Sequence, residues 1–453
     1  MIGALRMQID FRNVWRQQSV NRRIFGVLIT VGGFTFVVNL VATFKELVVA
    51  RRFGTADSMD ALLIGFLLPS FAVNVLAGSC NTALIPTFIQ VRESKGKEAA
   101  QQLLSGVIIW NIVILAIVSA LLGLTASFIL PILGSGFSTT KLALTRSLFF
   151  IFLPVLIISG LKTTWAAVLN ACDQFALVAL SPGMIPLATI AALFLMGKTW
   201  GIYSLAVGML SGYVIEAGIL GWGLRRNGFC LTPHWHGLDH TVRKVINQYI
   251  PVVTGAVLMC GTILVDQSMA AMLGRGSVST LNYGGKVVTL IIGIGSISLG
   301  TAVFPHFSRM VAVYDWAGIR HTLKTYIYLI LLVTIPLSLI LAYFSEPIVR
   351  LFFERGAFTS VDTWRVSQVQ VYFLFQVPFY FLGILVVRLI SSLNMNRIFM
   401  QAASINLLSK IVFNYLLMQR LGVGGIALST ALMYMVSVIY CSIMLYKQIK
   451  TLE

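Results

Sequence analysis

Apolar segments of about 20 residues recur along nearly the whole chain, separated by short polar stretches. A helix of about this length crosses the ~30 Å hydrocarbon core of a bilayer. In lipid, a helix also satisfies every backbone hydrogen-bonding group within its own segment. The pattern therefore predicts an all-α polytopic membrane protein with twelve spans, at residues 25–50, 60–85, 103–130, 147–170, 175–197, 200–224, 248–273, 279–304, 324–345, 367–392, 398–419 and 423–446.

The composition excludes an ordinary soluble domain. Of the 453 residues, 58% are hydrophobic and only 11% are charged, whereas soluble domains carry about 25% charged residues. A net charge of +18 would suggest nucleic acid as the partner of a soluble protein. In a membrane protein, basic loops fix the orientation and contact anionic head groups, so we expect membrane lipid and no nucleic acid as a partner.

The distribution of Lys and Arg predicts the orientation. If the N-terminus faces the cytoplasm, eighteen of the 33 basic residues lie in inner segments, ten in outer segments and five within spans. Cytoplasmic loops of membrane proteins carry the excess of positive charge. We therefore predict a multi-pass protein of the bacterial cytoplasmic (inner) membrane with both termini in the cytoplasm.

The two halves of the sequence resemble each other. The segment ELVVARRFG precedes Pro86 of TALIPTF by about 40 residues, and DQSMAAMLG precedes Pro305 of TAVFPHF by the same interval. NACDQF likewise recurs as NMNRIF, again near an offset of 220 residues. An even number of spans per half gives a parallel repeat, in which the substrate site lies between two bundles. The predicted regions are a basic N-terminus (1–24), a six-helix bundle (25–224), a cytoplasmic linker (225–247) and a second six-helix bundle (248–453).

Charged residues inside the predicted spans are the main candidates for function. A charge near the bilayer centre costs roughly 2.5–3.5 kcal/mol on insertion scales and commonly faces a hydrated cavity or an ion partner. The in-span cations outnumber the in-span acids by two, so a shared cavity would favour an anion such as a diphosphate, which lysine binds as a point charge. The cations are Lys45, Lys162, Lys286, Arg388 and Lys410, and the acids are Glu46, Glu216 and Asp266.

Helical spacing places polar side chains beside several of these charges. Asn39 lies two turns before Glu46, and Asn282 lies one turn before Lys286. Lys410 lies between two asparagines, each one turn away. Lys162 and Arg388 lie toward the ends of their spans, where a long side chain can instead reach the membrane surface.

The remaining candidate chemistry is weak. The linker contains His234, His236 and His240, but HWHGLDH has no spacing typical of a metal enzyme, and we interpret it as a solvated linker. The five cysteines are scattered without a CxxC motif and predict neither a disulfide nor a metal site. No cofactor is expected.

Several stretches resemble the MurJ/MviN lipid II flippase family of the multidrug/oligosaccharidyl-lipid/polysaccharide exporter superfamily. They are FKELVVARRFGTADSMDALLIGFLLPS with TALIPTF, LNACDQFALVALSPGMIP, LNYGGKVVTLIIGIGSISLGTAVFPHFSRM and LFFERGAFTSVDT. The resemblance implies a flippase that moves an undecaprenyl-diphosphate-linked glycan to the outer leaflet by alternating access. It also implies coupling to a cation gradient or the membrane potential, and glycan-synthesis enzymes as partners.

The resemblance assigns roles to individual residues. Lys45 and Lys286 occupy positions where the family has cavity arginines, and Glu46 matches the acid that follows the first of them. Arg51 and Asp60 match the basic and acidic positions that flank the first outer loop. Asp266 and Glu216 are the candidates for binding a coupling cation.

Departures from the family pattern keep the substrate open. Asn39 replaces a first-span arginine, and Val73 and Asn74 lie where the family has an arginine pair in the second span. We also expect no counterpart of the two additional C-terminal spans of lipid II flippases. An exopolysaccharide or O-antigen repeat unit is therefore an alternative cargo to a lipid II-like precursor. One alternative function is a drug or cation antiporter of the same superfamily. Another is a membrane glycan polymerase or ligase, although the short predicted outer loops offer no acid–base pair for an enzyme.

Overall fold

A computed structural model describes residues 30–234, 237, 240–393 and 395–452. The predicted basic N-terminus (1–24), the first residues of the first span, His236 of the linker and Asn394 of the second repeat motif lie outside the described residues. Side chains are not described for His240 or for Pro305 of TAVFPHF.

The described chain consists of helices joined by short turns. Their bounds are α1 Thr30–Phe53, α2 Asp57–Ala72, α3 Gly78–Leu133, α4 Thr139–Ala171, α5 Phe175–Leu180, α6 Met184–Trp200, α7 Ile202–Arg226, α8 His240–Ala271, α9 Ser277–Ala312, α10 Trp316–Tyr343, α11 Ser345–Phe353, α12 Ser360–Leu374, α13 Gln376–Ser392, α14 Asn396–Leu421 and α15 Val423–Leu452.

The all-α membrane fold is confirmed. Among the described residues, nine helical segments are long and apolar enough to cross a membrane, and one of these, Asp57–Leu133, is 77 residues long. A single crossing needs about 20 residues, so this segment accommodates the second and third predicted spans. Helices α9 and α14 are not among the nine. In α14, the polar residues around Lys410 lower the mean hydropathy.

Local chain chemistry explains the two irregularities of the Asp57–Leu133 segment. Pro69 lies in the last turn of α2, and a π-helical turn follows at Val73–Ala77; proline lacks the amide hydrogen that a regular helix requires. Gly96 has φ 84° and ψ −177°, a conformation essentially restricted to glycine. This residue reverses the chain at the predicted inner loop between the second and third spans.

The chain divides into two compact units that do not follow the sequence halves. Unit 1 comprises the described residues within 30–46, 80–116 and 157–247, and unit 2 those within 47–79, 117–156 and 248–452. These units are defined by packing, whereas the sequence repeat is defined by chain order. The division into two six-helix bundles at residues 225–247 therefore stays a prediction.

Unit 1 packs through small residues and a docked linker. On α7, a Cβ at Gly208 would lie 2.8 Å from Thr189 Cα, and one at Gly212 would lie 2.5 Å from Ile185 Cα. Small residues of this kind allow membrane helices to approach closely. The beginning of the predicted solvated linker is not free, because Cys230 exchanges backbone hydrogen bonds of 2.9 and 3.1 Å with the Gln101 side chain.

Unit 2 has an apolar core to which both halves of the sequence contribute. Ile64 and Leu67 of α2 pack in one cluster with Ala270, Leu281 and other buried residues from α8, α9, α12 and α15. A larger cluster is built around α13, with Leu385 and Leu389 fully buried. Unit 2 therefore packs first-half helices against the second half, and the site described next depends on that packing.

Candidate functional site

Each of the three in-span acids lies against one of the in-span lysines. The Lys45 and Glu46 side chains, neighbours on α1 in unit 1, form an ion pair of 2.8 Å and are 20% and 16% exposed. Asn39 is exposed one to two turns earlier on the same helix, and its carbonyl accepts a hydrogen bond from the Thr43 hydroxyl. The first-span lysine is thus partly neutralised by the adjacent acid.

The second pair joins α4 to α7 within unit 1. Lys162 Nζ lies 2.6 Å from Glu216 Oε2, and the side chains are 15% and 4% exposed. The same ammonium lies 4.6 Å from the centre of the Tyr213 ring, where the ring face attracts a cation. From the sequence alone, the Lys162 side chain could equally have reached the membrane surface. In the structure it contacts Glu216 instead.

The third pair is almost completely enclosed in unit 2. Lys410 Nζ on α14 lies 3.1 Å from Asp266 Oδ1 on α8, and the lysine side chain is 1% exposed. Asn414, one turn further along α14, donates a hydrogen bond of 2.8 Å to the same carboxylate oxygen. In this conformation, the Lys410 ammonium therefore presents no open face to a substrate.

The other two in-span cations lie in unit 2. Lys286 and Asn282 are one turn apart on α9, and both are half-buried. Arg388 lies near the C-terminal end of α13 and is also half-buried. Counted by residue, the five in-span cations exceed the three in-span acids by two.

Asp60 is the centre of a buried polar cluster in unit 2. Its side chain is fully buried and accepts hydrogen bonds of 2.8 Å from the backbone amides of Gly276 and Ser279, from the Ser279 hydroxyl and from Lys141 Nζ. The two amides belong to the beginning of α9, where the helix dipole favours an anion. The carboxylate therefore ties α2 and α4 of the first half to α9 of the second half.

A second anion, Asp57, and one further cation, Arg275, border this cluster. Lys141 Nζ also lies 2.7 Å from Asp57 Oδ1, and Arg275 Nε lies 3.3 Å from Asp57 Oδ2. Lys141 is 7% exposed on its side chain, whereas Arg275 is 77% exposed. Lys141 is thus the structural counter-charge of Asp60, and Arg275 adds an exposed contact at the rim.

The turn between α1 and α2 and the ERGAF segment meet through two glycines in unit 2. The Ala357 amide donates to the Arg51 carbonyl at 2.8 Å. A Cβ at Gly356 would lie 2.4 Å from that carbonyl oxygen, and a Cβ at Gly54 would lie 2.4 Å from the Ala357 carbonyl oxygen. Both glycines have positive φ. Arg51 thus contributes its backbone to this contact, and its side chain is exposed.

Sequence reasoning missed the residues whose role depends on another helix. Lys141 was one of the ten basic residues assigned to outer segments from the sequence. Its position in the first turn of α4 brings it to Asp60. Ser279 and the hydroxyl residues Ser429 and Thr430 of α15, which contact Lys410, gave no charge signal. The spacing of Ser279 three residues after Gly276, at a predicted helix start, was the available clue for the Asp60 contact.

Comparison with known proteins agrees with this architecture. The family model described as "Lipid II flippase MurJ" matches residues 49–453. A lipid II flippase MurJ of Burkholderia cenocepacia is 25% identical over 367 residues, covering 76% of this chain and 69% of the relative. A probable lipid II flippase MurJ of Buchnera aphidicola subsp. Acyrthosiphon pisum is 23% identical over 436 residues, covering 93% and 83%.

Solved structures show the same fold. A lipid II flippase MurJ in an inward closed conformation superposes with a TM-score of 0.80 at 24% identity, covering 92% of this chain and 87% of that one. An inward-facing multidrug MATE transporter of the MOP superfamily gives a TM-score of 0.75 at 13% identity, covering 92% and 95%. The family model covers most of the sequence, and on that ground this chain belongs to the lipid II flippase MurJ family of multi-pass membrane transporters.

Proposed function

We propose that this protein is a flippase that moves an undecaprenyl-diphosphate-linked glycan from the cytoplasmic to the outer leaflet of the inner membrane. Membership of the MurJ family supports the lipid-linked cargo. The observation that supports this proposal is the charge balance inside the spans. Five cations lie in the predicted spans and only three acids, so the spans carry a net positive charge.

The charge balance matches a diphosphate better than a cation. A diphosphate needs positive donors with little competing carboxylate, because a nearby acid repels it. Lys286, with Asn282 on the same helical face, is the main proposed donor. Arg388 and the partly exposed Lys45 and Lys162 are further proposed donors, and Asn39 adds an uncharged donor on α1.

Alternating access is the proposed mechanism, and the Asp60 cluster supports it. On the predicted topology, α2, the beginning of α4 and the beginning of α9 all lie at the outer side. Asp60 and Lys141 join them through buried contacts, so the outer ends are held together in this conformation. Outward opening would require these contacts to break, which makes the cluster a proposed outer gate.

The fold alone does not choose between cargo classes, because MATE transporters share it. A drug or cation antiporter remains the second candidate. Its substrate would need an available acid, but Glu46, Glu216 and Asp266 each lie within 3.1 Å of a lysine ammonium. Within the lipid-linked class, a lipid II-like precursor and an exopolysaccharide or O-antigen unit both carry the diphosphate. Interaction with glycan-synthesis enzymes and cytoplasmic termini stay predictions.

Complementation distinguishes these cargoes. The protein is expressed in cells depleted of their lipid II flippase and, separately, in cells that lack their exopolysaccharide flippase. Rescue of one strain identifies the cargo class, and rescue of both indicates that the diphosphate–lipid part is recognised. Rescue of neither, with normal membrane levels of the protein, would contradict the proposal.

Lys286 is tested in the rescued strain. We expect Lys286→Ala to reduce transport about tenfold or more, because a charge-assisted hydrogen bond contributes about 1.5–3 kcal/mol and 1.4 kcal/mol corresponds to tenfold. Lys286→Arg should retain most activity. Lys198→Ala removes an exposed lysine at the end of α6 and is the control. Equal transport by Lys286→Ala and the control, at equal membrane levels, would contradict the assignment of Lys286.

A further inference from the structure

The Lys410 ammonium of α14 is surrounded by oxygen atoms from two other helices of unit 2, α8 and α15. Asp266 Oδ1 of α8 lies at 3.1 Å, Ser429 Oγ of α15 at 3.0 Å and the Ile426 carbonyl oxygen of α15 at 3.4 Å. Thr430 Oγ1 also contacts the ammonium. These groups are one carboxylate, one carbonyl and two hydroxyls.

The oxygens are held in place by their own hydrogen bonds. Asn414 donates to Asp266 at 2.8 Å and accepts from the Ser429 hydroxyl. The Ile426 carbonyl is also approached by the Ser429 and Thr430 hydroxyls, at 2.7 and 3.3 Å. Asn414 and Ser429 are fully buried. The arrangement is therefore a built site and does not depend on the reach of one flexible side chain.

The number and chemistry of the partners are typical of an ion shell. A lysine ammonium has three hydrogen-bond donors, yet four oxygen atoms of different residues surround this one. Hard cations are bound by carboxylate, carbonyl and hydroxyl oxygens that replace water. Lys162 has a different environment, since its described polar partner is the Glu216 carboxylate and its other neighbour is a ring face.

We propose that the Lys410 ammonium fills a monovalent-cation shell, so that the chain supplies its own tethered cation to Asp266. The Lys410 ammonium is covalently attached to the chain, so it cannot be released to either side of the membrane. Asp266 then needs no free cation in the native protein, and it does not serve as the coupling-ion site that the sequence suggested. This inference goes beyond the proposed function, because it concerns ion binding and holds for any cargo.

Removing the lysine would convert the shell into a site for a free cation. Lys410→Ala leaves the oxygens with one negative charge and a space once filled by the side chain. A buried carboxylate without a partner is strongly unfavourable, so the variant is expected to be destabilised in the absence of small cations. Na⁺ or K⁺ entering the shell would restore the stability, since a ligand that binds only the folded state stabilises it.

The test is thermal unfolding of the purified protein in detergent, without glycolipid. NaCl, KCl or LiCl replaces choline chloride at constant ionic strength. We expect the melting temperature of the native protein to be the same in all four salts. The melting temperature of Lys410→Ala should be lower in choline chloride and rise by several degrees in at least one alkali salt.

Three variants control the interpretation. Asp266→Asn combined with Lys410→Ala removes the charge of the shell and should abolish the salt-specific rise. Lys410→Met fills the space with an uncharged chain and should also show no rise. Lys162→Ala leaves Glu216 without its lysine but without a comparable oxygen shell, so its melting temperature should not depend on the identity of the cation.

Several outcomes would overturn the proposal. One is a native protein that is stabilised specifically by Na⁺ or K⁺ through Asp266, because the shell would then admit a free ion beside the lysine. Another is a folded Lys410→Ala variant whose melting temperature is equal in all four salts. If Lys410→Ala does not accumulate, Lys410→Ser is used; failure of both variants in media with abundant Na⁺ and K⁺ also contradicts the proposal. Because no substrate is present, these results are independent of flipping.

Discussion

Buried charges in this protein are compensated residue by residue. Lys162 with Glu216, and Lys410 with Asp266, form pairs in which at least one side chain is less than 5% exposed. Asp60 is compensated by Lys141 and by backbone amides. Transferring a charge from water into an apolar interior costs several kcal/mol unless a partner and hydrogen bonds are present. The partners therefore explain how a membrane protein retains these polar residues.

Cys172 offers a test at the residue scale outside the spans. It follows the end of α4, where Arg92 donates hydrogen bonds to its Sγ at 3.3 Å and to the Ala171 carbonyl at 2.8 Å. Burial raises the pKa of the Cys172 thiol, and the nearby Arg92 charge offsets only part of this effect. The thiolate is the reactive form, so alkylation of Cys172 should be slow at pH 7.

The expected pH dependence has a definite sign. Because the pKa is raised above the ordinary value of 9.0, the thiolate fraction of the native protein should level off at a higher pH than that of the denatured protein. The rate of maleimide labelling of a variant that keeps only Cys172 is measured from pH 7 to 9.5, native and in denaturant. A native rate that levels off at lower pH than the denatured rate would contradict the assignment.

At the scale of elements, the contact between the α1–α2 turn and the ERGAF loop depends on glycine. Gly356 has φ 64°, and an added Cβ would lie 2.4 Å from the Arg51 carbonyl oxygen. The neighbouring α12 begins with a capping box in which Thr359 and Asp362 exchange hydrogen bonds. Thr55 also donates to Asp362. The ERGAF motif therefore joins the α1–α2 turn to the beginning of α12.

Gly356→Ala should consequently lower stability by more than backbone strain alone. A left-handed conformation costs a residue with a Cβ about 1–2 kcal/mol, and the clash with Arg51 adds to this cost. Gly274→Ala is the control, because Gly274 has φ 100° but open space around its Cβ position. The melting temperatures of the two variants are compared in detergent. An equal decrease in the melting temperature of both variants would show that the close approach to Arg51 does not contribute to the loss of stability.

At the scale of the whole molecule, the proposed outer gate links stability to access. The Asp60 carboxylate is fully buried and accepts from two amides of the α9 N-terminal turn. Asp60→Asn preserves the shape but removes the charge, leaving Lys141 with Asp57 as its described acid partner. Losing one partner of a buried ion pair costs about 3–5 kcal/mol, so the conformation described here should become less populated.

External labelling measures this change. Asn282→Cys is introduced into a variant without native cysteines, and an impermeant maleimide is added from the outer side. We expect Asp60→Asn to increase the labelling rate several-fold. Glu346→Gln is the control, since its ion pair with Arg350 is exposed on both sides and exposed pairs contribute little. Equal labelling with Asp60→Asn and with Glu346→Gln would contradict the gate.

The sequence by itself determined the class of protein and the positions of its helices. The apolar segments and the scarcity of charge are local properties, and each predicted span that the structure describes is largely helical. Turn residues occur within or at the ends of spans 200–224, 248–273, 324–345 and 367–392. The in-span charges were also visible, because a charge within an apolar run stands out without any knowledge of its neighbours. The family followed from local motifs such as ERGAF, and the family model matches residues 49–453.

Only the tertiary structure decided which charges meet. Lys410 and Asp266 are 144 residues apart in number, and Asp60 and Ser279 are separated by 219 residues; periodicity within one helix contains no information about such partners. Lys141 therefore appeared as a loop cation and Asp266 as a cation-binding acid. Packing of α8, α14 and α15 instead places a lysine against Asp266, because a buried carboxylate requires a positive charge or hydrogen-bond donors wherever the chain can provide them.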